Sequence, residues 1–258
     1  VFGASLIFSP TFVSAAVFND AANGDWNDGA TWGNTSPGVE GTDFPGSADI
    51  VTIDSNIVTL TGAQDAASVT LAGGTLTFGA NTLTVHNDWT ITSGTLNEDT
   101  GTLVFDPDTD NTATITGSTT FNNLKFFDNA GTNRTITIAS GTNLTVTGTL
   151  TFENTSTDPN DFVNGPGTIS LSGNLAAVDG GWAGTAVVTL NGSGTQTVTG
   201  DTSFDGRVPA IVINSTGTVN FFETVMVTDD WTYTAGTLSV ATSTVGFWPQ
   251  GDNTITVT

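Results

Sequence analysis

The chain has 258 residues, no Cys, 11% charged residues and a formal net charge of −22, from 25 acidic residues against three Lys and Arg. So acidic a surface repels a phosphate backbone, which argues against nucleic-acid binding, and the lack of Cys excludes disulfides and thiolate metal sites. The 31 Gly among many Thr, Asn, Val and Ile favour short β-strands joined by tight turns.

Residues 1–15, VFGASLIFSPTFVSA, are apolar and end in a small-residue pattern typical of a secretory signal cleavage site. The competing interpretation is a retained apolar strand that caps this subunit or adds to a neighbouring copy. The residues assigned to such assembly are Val1, Phe2, Leu6, Ile7, Phe8, Phe12 and Val13. The segment is too short for a transmembrane helix, and Pro10 interrupts it.

Residues 16–50 are predicted to form an N-terminal cap. Trp26 and Trp32 lie six residues apart among Gly, Asn and Asp, which does not fit an aromatic stripe on a helix. We expect both indole rings to cover the open end of a core.

Residues 51–258 alternate apolar and polar side chains in short runs. The alternation begins at Val51 and Ile53 and is still present at Ile255 and Val257. A period of two predicts short strands with one buried face. Two stretches rich in turn residues, 154–167 and 179–184, are predicted to be lateral loops.

Two short motifs recur later in the sequence. Asp88-Trp89 and Gly94-Thr95-Leu96 recur 142 residues later, and Thr112–Gly117 resembles a stretch 83 residues later. Both displacements are close to multiples of about 20 residues, which predicts an all-β parallel β-solenoid (β-helix) of roughly 20-residue coils with an N-terminal capping head. Two antiparallel β-sandwich domains are the alternative. Since the chain stops where its earlier copy continues, we expect a longer natural protein or a second subunit over that end.

The first coils resemble a known family. The residues that carry the resemblance are Trp26, Ala30-Thr31-Trp32, Pro45-Gly46, Asp49, Val51, Ile53, Ser68-Val69 and Gly73-Gly74-Thr75-Leu76. This run, within residues 23–86, resembles the head of bacterial cell-surface parallel β-helix proteins of the filamentous-adhesin-like and eight-glycine head domain types. The resemblance implies a secreted repeat protein that acts in adhesion or surface structure. The partner predicted for the chain is another copy of itself or a cell-surface glycan.

One carboxylate cluster is a candidate metal site. Asp106, Asp108 and Asp110 alternate in a turn and could supply oxygen ligands to Ca²⁺. A solvated turn is the alternative, because the later copy of this stretch keeps a single carboxylate. His86 is the only His, so a transition-metal centre has no support, and no other cofactor is predicted.

The sequence therefore predicts an extracellular, non-enzymatic structural or adhesive module, with a filament subunit as one form. A polysaccharide-active β-helix enzyme is one alternative, but Lys125, Arg134 and Arg207 are scattered and no close carboxylate pair stands out. Another is ice binding, if Thr-X-Thr pairs such as Thr82 and Thr84 stack on one flat face.

Overall fold

A computed structural model describes residues 15–107, 112–129, 132–155, 161–202, 206–240, 243–248 and 254–257. These residues form a parallel β-solenoid, which confirms the predicted fold class. They include one 3₁₀ helix, Gly29–Trp32. Within these ranges, no helix has the length and apolar character needed to cross a membrane.

Twenty-eight strands follow one another in the described residues. The first eleven are β1 (Val17–Asn19), β2 (Gly24–Asp25), β3 (Ile50–Ile53), β4 (Ile57–Thr59), β5 (Gln64–Ala66), β6 (Ser68–Leu71), β7 (Thr75–Thr77), β8 (Thr82–Val85), β9 (Trp89–Ile91), β10 (Thr95–Asn97) and β11 (Thr102–Phe105). The next nine are β12 (Thr112–Thr116), β13 (Thr119–Phe121), β14 (Asn123–Asp128), β15 (Thr135–Ile138), β16 (Asn143–Val146), β17 (Thr149–Asn154), β18 (Phe162–Asn164), β19 (Thr168–Leu171) and β20 (Asn174–Val178). The last eight are β21 (Val187–Leu190), β22 (Thr195–Thr199), β23 (Arg207–Val208), β24 (Ala210–Phe222), β25 (Thr224–Val227), β26 (Trp231–Ser239), β27 (Thr244–Phe247) and β28 (Ile255–Val257).

Three consecutive strands form one coil. Strands β3, β4 and β5 are covered by β6, β7 and β8, in that order and in parallel. A coil takes about 23 residues instead of the roughly 20 predicted. The number of residues from one coil to the next varies, since Val51 pairs with Val69 but Ile136 pairs with Val163. The connections between strands absorb this difference in length.

The core is built from the inward residues of each strand, stacked coil upon coil. Apolar residues two apart in the predicted alternation are buried in successive coils, among them Val51 and Ile53, Ile136 and Ile138, and Val225 and Val227, which agrees with the period of two. One column contains Leu83, Leu103, Leu124 and Leu150, each paired with the next. The in-register parallel pairing places like side chains above one another at the spacing between strands, about 4.8 Å.

An aromatic stack occupies a second column of the core. The rings of Phe105, Phe126 and Phe152 lie almost parallel, with centroids 5.9 Å and 5.4 Å apart. All three side chains are wholly buried. Such stacked pairs add about 0.5–1.5 kcal/mol each to the burial of their apolar surface.

Some turns between faces accept only glycine because successive coils approach closely there. A Cβ added to Gly173 would lie 1.6 Å from the carbonyl oxygen of Gly148, whereas one added to Gly194 would meet nothing within 4 Å.

Beside these turns, the buried Gln196 side chain donates to the carbonyls of Leu171 and Gly173 at 3.0 Å and 2.7 Å. Backbone groups exposed by the turn are thereby paired inside the solenoid.

The two predicted lateral loops are corrected in part. Residues 162–164 of the first form β18, which pairs with β15. In the second, Trp182 is wholly buried, its Nε1 donates to the carbonyl of Glu153 at 3.0 Å, and its ring lies 6.1 Å from that of Phe126. The prediction of a protruding loop at 179–184 is therefore wrong, because this glycine-rich turn carries an indole ring into the core.

Candidate functional site

The last coils expose the inside of the solenoid. We call the side chains involved the open end: Leu238, Val240, Phe247, Ile255 and Val257. They occupy inward positions, since Leu238 pairs with the buried Val219, Phe247 with the buried Val227, and Ile255 with the buried Trp231.

Their exposure is high in the part of the chain that the structure describes, where no further strand lies over β28. Ile255 and Val257 are 60% and 73% exposed. Among the described residues, β27 and β28 each have a strand partner on one side only. An apolar end next to unpaired strand edges favours the addition of another β-strand.

Acidic side chains border the open end. The Asp230 carboxylate accepts a hydrogen bond from the backbone N–H of Thr254 at 2.7 Å, directly before β28. Beside it, burial and the charge of Asp230 raise the pKa of Asp229, although the backbone N–H of Asp230 opposes this shift by donating to it. The Glu223 carbonyl accepts from the N–H of Thr244, the first residue of β27. All three acids therefore lie beside the last strands.

The two predicted cap residues lie in the core at the other end. Trp26 and Trp32 are buried, with ring centroids 5.4 Å apart in an edge-to-face arrangement, and Trp32 also meets Phe18. Trp32 Nε1 donates to the carbonyl of Trp26 at 2.7 Å. Strands β1 and β2 in this region pair with β3 and β4 of the next coil. Their role as a cap, and the boundary at residue 50, stay predictions.

A carboxylate fastens this first coil to the second. Asp20 is buried, and its side chain accepts from the backbone N–H groups of residues 54, 55 and 56. Burial alone would raise the pKa of Asp20, but these hydrogen bonds together outweigh burial and lower it. The sequence gives no sign of this contact, because a lone Asp after a short strand follows no recognisable pattern.

The predicted calcium site is only partly within the described residues. Asp106 follows β11 and is buried, while Asp108 and Asp110 lie outside the described residues. No group of three His, Cys, Asp or Glu side chains in the described ranges could hold a metal ion. The calcium site stays a prediction. The predicted assembly residues Val1, Phe2, Leu6, Ile7, Phe8, Phe12 and Val13 also lie outside the described residues.

Two of the three cationic side chains are buried, which sequence analysis did not predict. Arg134 is wholly buried, and its Nε donates to the equally buried Asp128 carboxylate at 2.9 Å. Its backbone N–H donates to Asp161 at 2.8 Å. Arg207 is buried too, and donates from Nε to the carbonyl of Gly180 at 3.0 Å. Lys125 instead forms a half-exposed ion pair with Glu153 at 2.9 Å.

A shallow cavity of about 300 Å³ lies near the first coil, lined by Glu40, Gly41, Gly46, Ser47, Ala48 and Asp49. Its buried carboxylate, Asp49, accepts from the backbone N–H groups of Ala16 and Gly46 at 2.8 Å and 2.9 Å. Both oxygens of Asp49 therefore hold backbone in place, which gives the cavity a structural explanation.

The Thr-X-Thr pairs do not share one face. Thr75 and Thr77 lie in the four-stranded sheet, Thr82 and Thr84 in the fourteen-stranded sheet, and Thr135 and Thr137 in the seven-stranded sheet. The ice-binding alternative required the pairs to stack on one flat surface. The structure divides them among three sheets.

Comparisons with known proteins add no relative: no protein family, no curated protein and no solved structure matches the chain. The β-helix fold implied by the resemblance of the first coils is confirmed by the structure, whereas membership in the adhesin-like family has no match to support it.

Proposed function

We propose that the chain is an extracellular, non-enzymatic structural module that self-associates end to end through its open end, to form a filament. The observation that supports this proposal is the set of five inward-facing apolar side chains left exposed there. Contiguous exposed apolar surface next to free strand edges is the usual mark of an association site.

The proposed occupant is the N-terminal segment of a second copy. Residues 1–14 contain seven large apolar side chains and no charged one, in a chain with a net charge of −22. An uncharged strand can approach the acidic border of the open end without direct repulsion. It would pair its backbone with the free edges of β27 or β28 and place its apolar side chains on the open end.

The extracellular location rests on the resemblance of the first coils to surface β-helix proteins. That resemblance also suggests an adhesive role toward a cell-surface glycan. A glycan array probed with the assembled protein tests this role.

Sedimentation velocity of Val257→Asp and Thr256→Asp tests the assembly. Both variants add one negative charge to β28, but position 257 faces the interior of the solenoid and position 256 faces outward. We expect Val257→Asp to prevent association and Thr256→Asp to retain it. Equal association of the two variants would show that the open end is not the interface.

Deletion of residues 1–15 tests the donor. We expect the deletion to abolish polymer while the β-sheet signal in far-UV circular dichroism is preserved. Polymer that survives the deletion would rule out strand donation by this segment.

A further inference from the structure

One surface of the middle coils carries no charge. It is formed by β13, β16, β19 and β21, which are neighbours in this order in the fourteen-stranded sheet. With their flanking turns, these strands comprise residues 117–122, 139–148, 165–173 and 185–194, which are 35 residues without one Asp, Glu, Lys or Arg. At 11% charged residues, a stretch of this length would carry about four. We call this surface the uncharged face.

The outward side chains of the uncharged face are small and polar. One column of direct partners in successive strands contains Thr120, Thr145, Ser170 and Thr189. Asn143 and its partner Thr168 lie beside this column. These side chains are half-buried or exposed, whereas the inward Leu144 and Val146 between them are wholly buried. The face therefore presents hydroxyl and carboxamide groups at the spacing between strands, about 4.8 Å.

Hydrogen-bonding groups on this face are available to a ligand. The hydroxyls of Thr168 and Ser170 donate to the carboxamide oxygen of Asn143 at 3.0 Å and 3.2 Å, so their own oxygens can still accept. Within the described residues, Asn143 Nδ2 and the hydroxyls of Thr145 and Thr189 make no hydrogen bond. Donors and acceptors thus alternate along the surface.

The charge distribution restricts the kind of ligand. Elsewhere in the same sheet, outward positions of β5, β14 and β17 carry Asp65, Lys125 and Glu153. A cationic ligand would find no carboxylate on the uncharged face, and an anionic one would be repelled by a chain of net charge −22. The outward positions also lack the aromatic and Arg side chains on which protein–protein contacts usually depend. A neutral, polar partner fits this surface best.

We infer that the uncharged face binds a neutral, extended polysaccharide of β-linked pyranose units, which lies along the solenoid axis. The spacing between strands is close to the length of one pyranose unit in such a chain, so successive sugars would meet equivalent side chains. Sugar hydroxyls both donate and accept, as the Thr, Ser and Asn groups require. This inference deepens the proposed adhesive role toward a glycan, and it does not depend on end-to-end association.

Affinity gel electrophoresis of the full chain tests the face. The neutral probes are hydroxyethylcellulose, galactomannan and arabinoxylan, and the anionic probe is carboxymethylcellulose, which shares its backbone with the first. The test variant is Thr145→Val with Thr189→Val. The control variant is Thr149→Val with Thr197→Val, two outward positions on β17 and β22 of the same sheet. All proteins carry Val257→Asp, so that polymer formation does not contribute to retardation.

We expect at least one neutral probe to retard the parent protein and the control variant equally. The test variant should bind that probe at least about fivefold more weakly, because two hydrogen-bonding groups are lost. Valine keeps the shape and strand preference of threonine, so the Tm of all three proteins should agree.

Two results would overturn the inference: no retardation by any neutral probe, or equal weakening in the test and control variants. Retardation by carboxymethylcellulose as strong as by hydroxyethylcellulose would contradict a neutral ligand. None of these results bears on self-association, which the sedimentation of Val257→Asp and Thr256→Asp measures separately.

Discussion

Replacing Phe126 by Ala probes the register on which the whole core depends. Phe126 is wholly buried between Phe105 and Phe152, at centroid distances of 5.9 Å and 5.4 Å. Its neighbour along β14, Phe127, is half-buried on the outer surface, where its ring centroid lies 4.2 Å from Lys125 Nζ. The same substitution at adjacent positions therefore removes either core packing or a surface contact.

The two effects differ severalfold in size. Truncating a buried Phe costs about 3–5 kcal/mol, because transfer energy is lost and a cavity is left. Truncating Phe127 removes a cation–π contact near the surface, which contributes about 0.5–1 kcal/mol. In a chain of this size, a difference of about 3 kcal/mol lowers Tm by roughly 6–12 °C.

Thermal unfolding followed by far-UV circular dichroism measures the Tm of both variants. Phe126→Ala should melt well below Phe127→Ala, which should remain close to the wild type. A one-residue shift of the strand would move every side chain to the other face. A lower Tm for Phe127→Ala than for Phe126→Ala would therefore refute the register of β14.

Three further predictions concern stability. Asp20→Ala should lower the free energy of unfolding by about 2–4 kcal/mol at neutral pH, because hydrogen bonds to a charged carboxylate are lost. Since the pKa of Asp20 is lowered in the folded protein, this difference should persist above about pH 4 and shrink as the pH falls further. Urea titrations at several pH values measure it. Gly173→Ala should cost about 3 kcal/mol of stability because the new Cβ meets the backbone of Gly148, while Gly194→Ala should be nearly neutral. Similar urea midpoints for the two variants would contradict the close approach of the coils at Gly173. Arg134→Met should cost about 3–5 kcal/mol by leaving a buried carboxylate without its cation, whereas Lys125→Met, at a half-exposed pair, should cost less than about 1 kcal/mol. The reverse order of melting temperatures would show that Arg134 is not buried.

The solenoid was predictable from the sequence, but the repeats that suggested it do not correspond to coils. Trp89 belongs to β9 in the seven-stranded sheet, whereas its counterpart Trp231 belongs to β26 in the fourteen-stranded sheet. The recurring sequence is a strand–turn–strand unit that fits more than one face. Coil length was underestimated because recurrence of such a unit does not measure one full turn.

Burial of polar and aromatic side chains in connections was not predictable. Arg134 and Trp182 both sit among turn residues, yet both are wholly buried. Whether such a side chain meets solvent depends on the path of the next coil's connection, which lies more than 20 residues away. Alternation within a strand carries no information about that path.

The exposure of the open end was likewise not predictable from the sequence. Alternation correctly assigns Ile255 and Val257 to the inner face, but they are exposed. Their burial depends on a coil above them, and a single strand's pattern reports orientation only. The sequence therefore indicated which side chains point inward and could not indicate where the described core stops.

The parallel coils also determine how the chain responds to force. Each strand is bonded only to the strands directly above and below it, so tension on the two termini loads one coil at a time. A coil of about 23 residues releases about 80 Å of extended chain when it detaches. Stretching should therefore unwind the solenoid from an end in a series of small steps whose lengths follow the lengths of the coils, and a subunit end covered by a neighbour would resist longest.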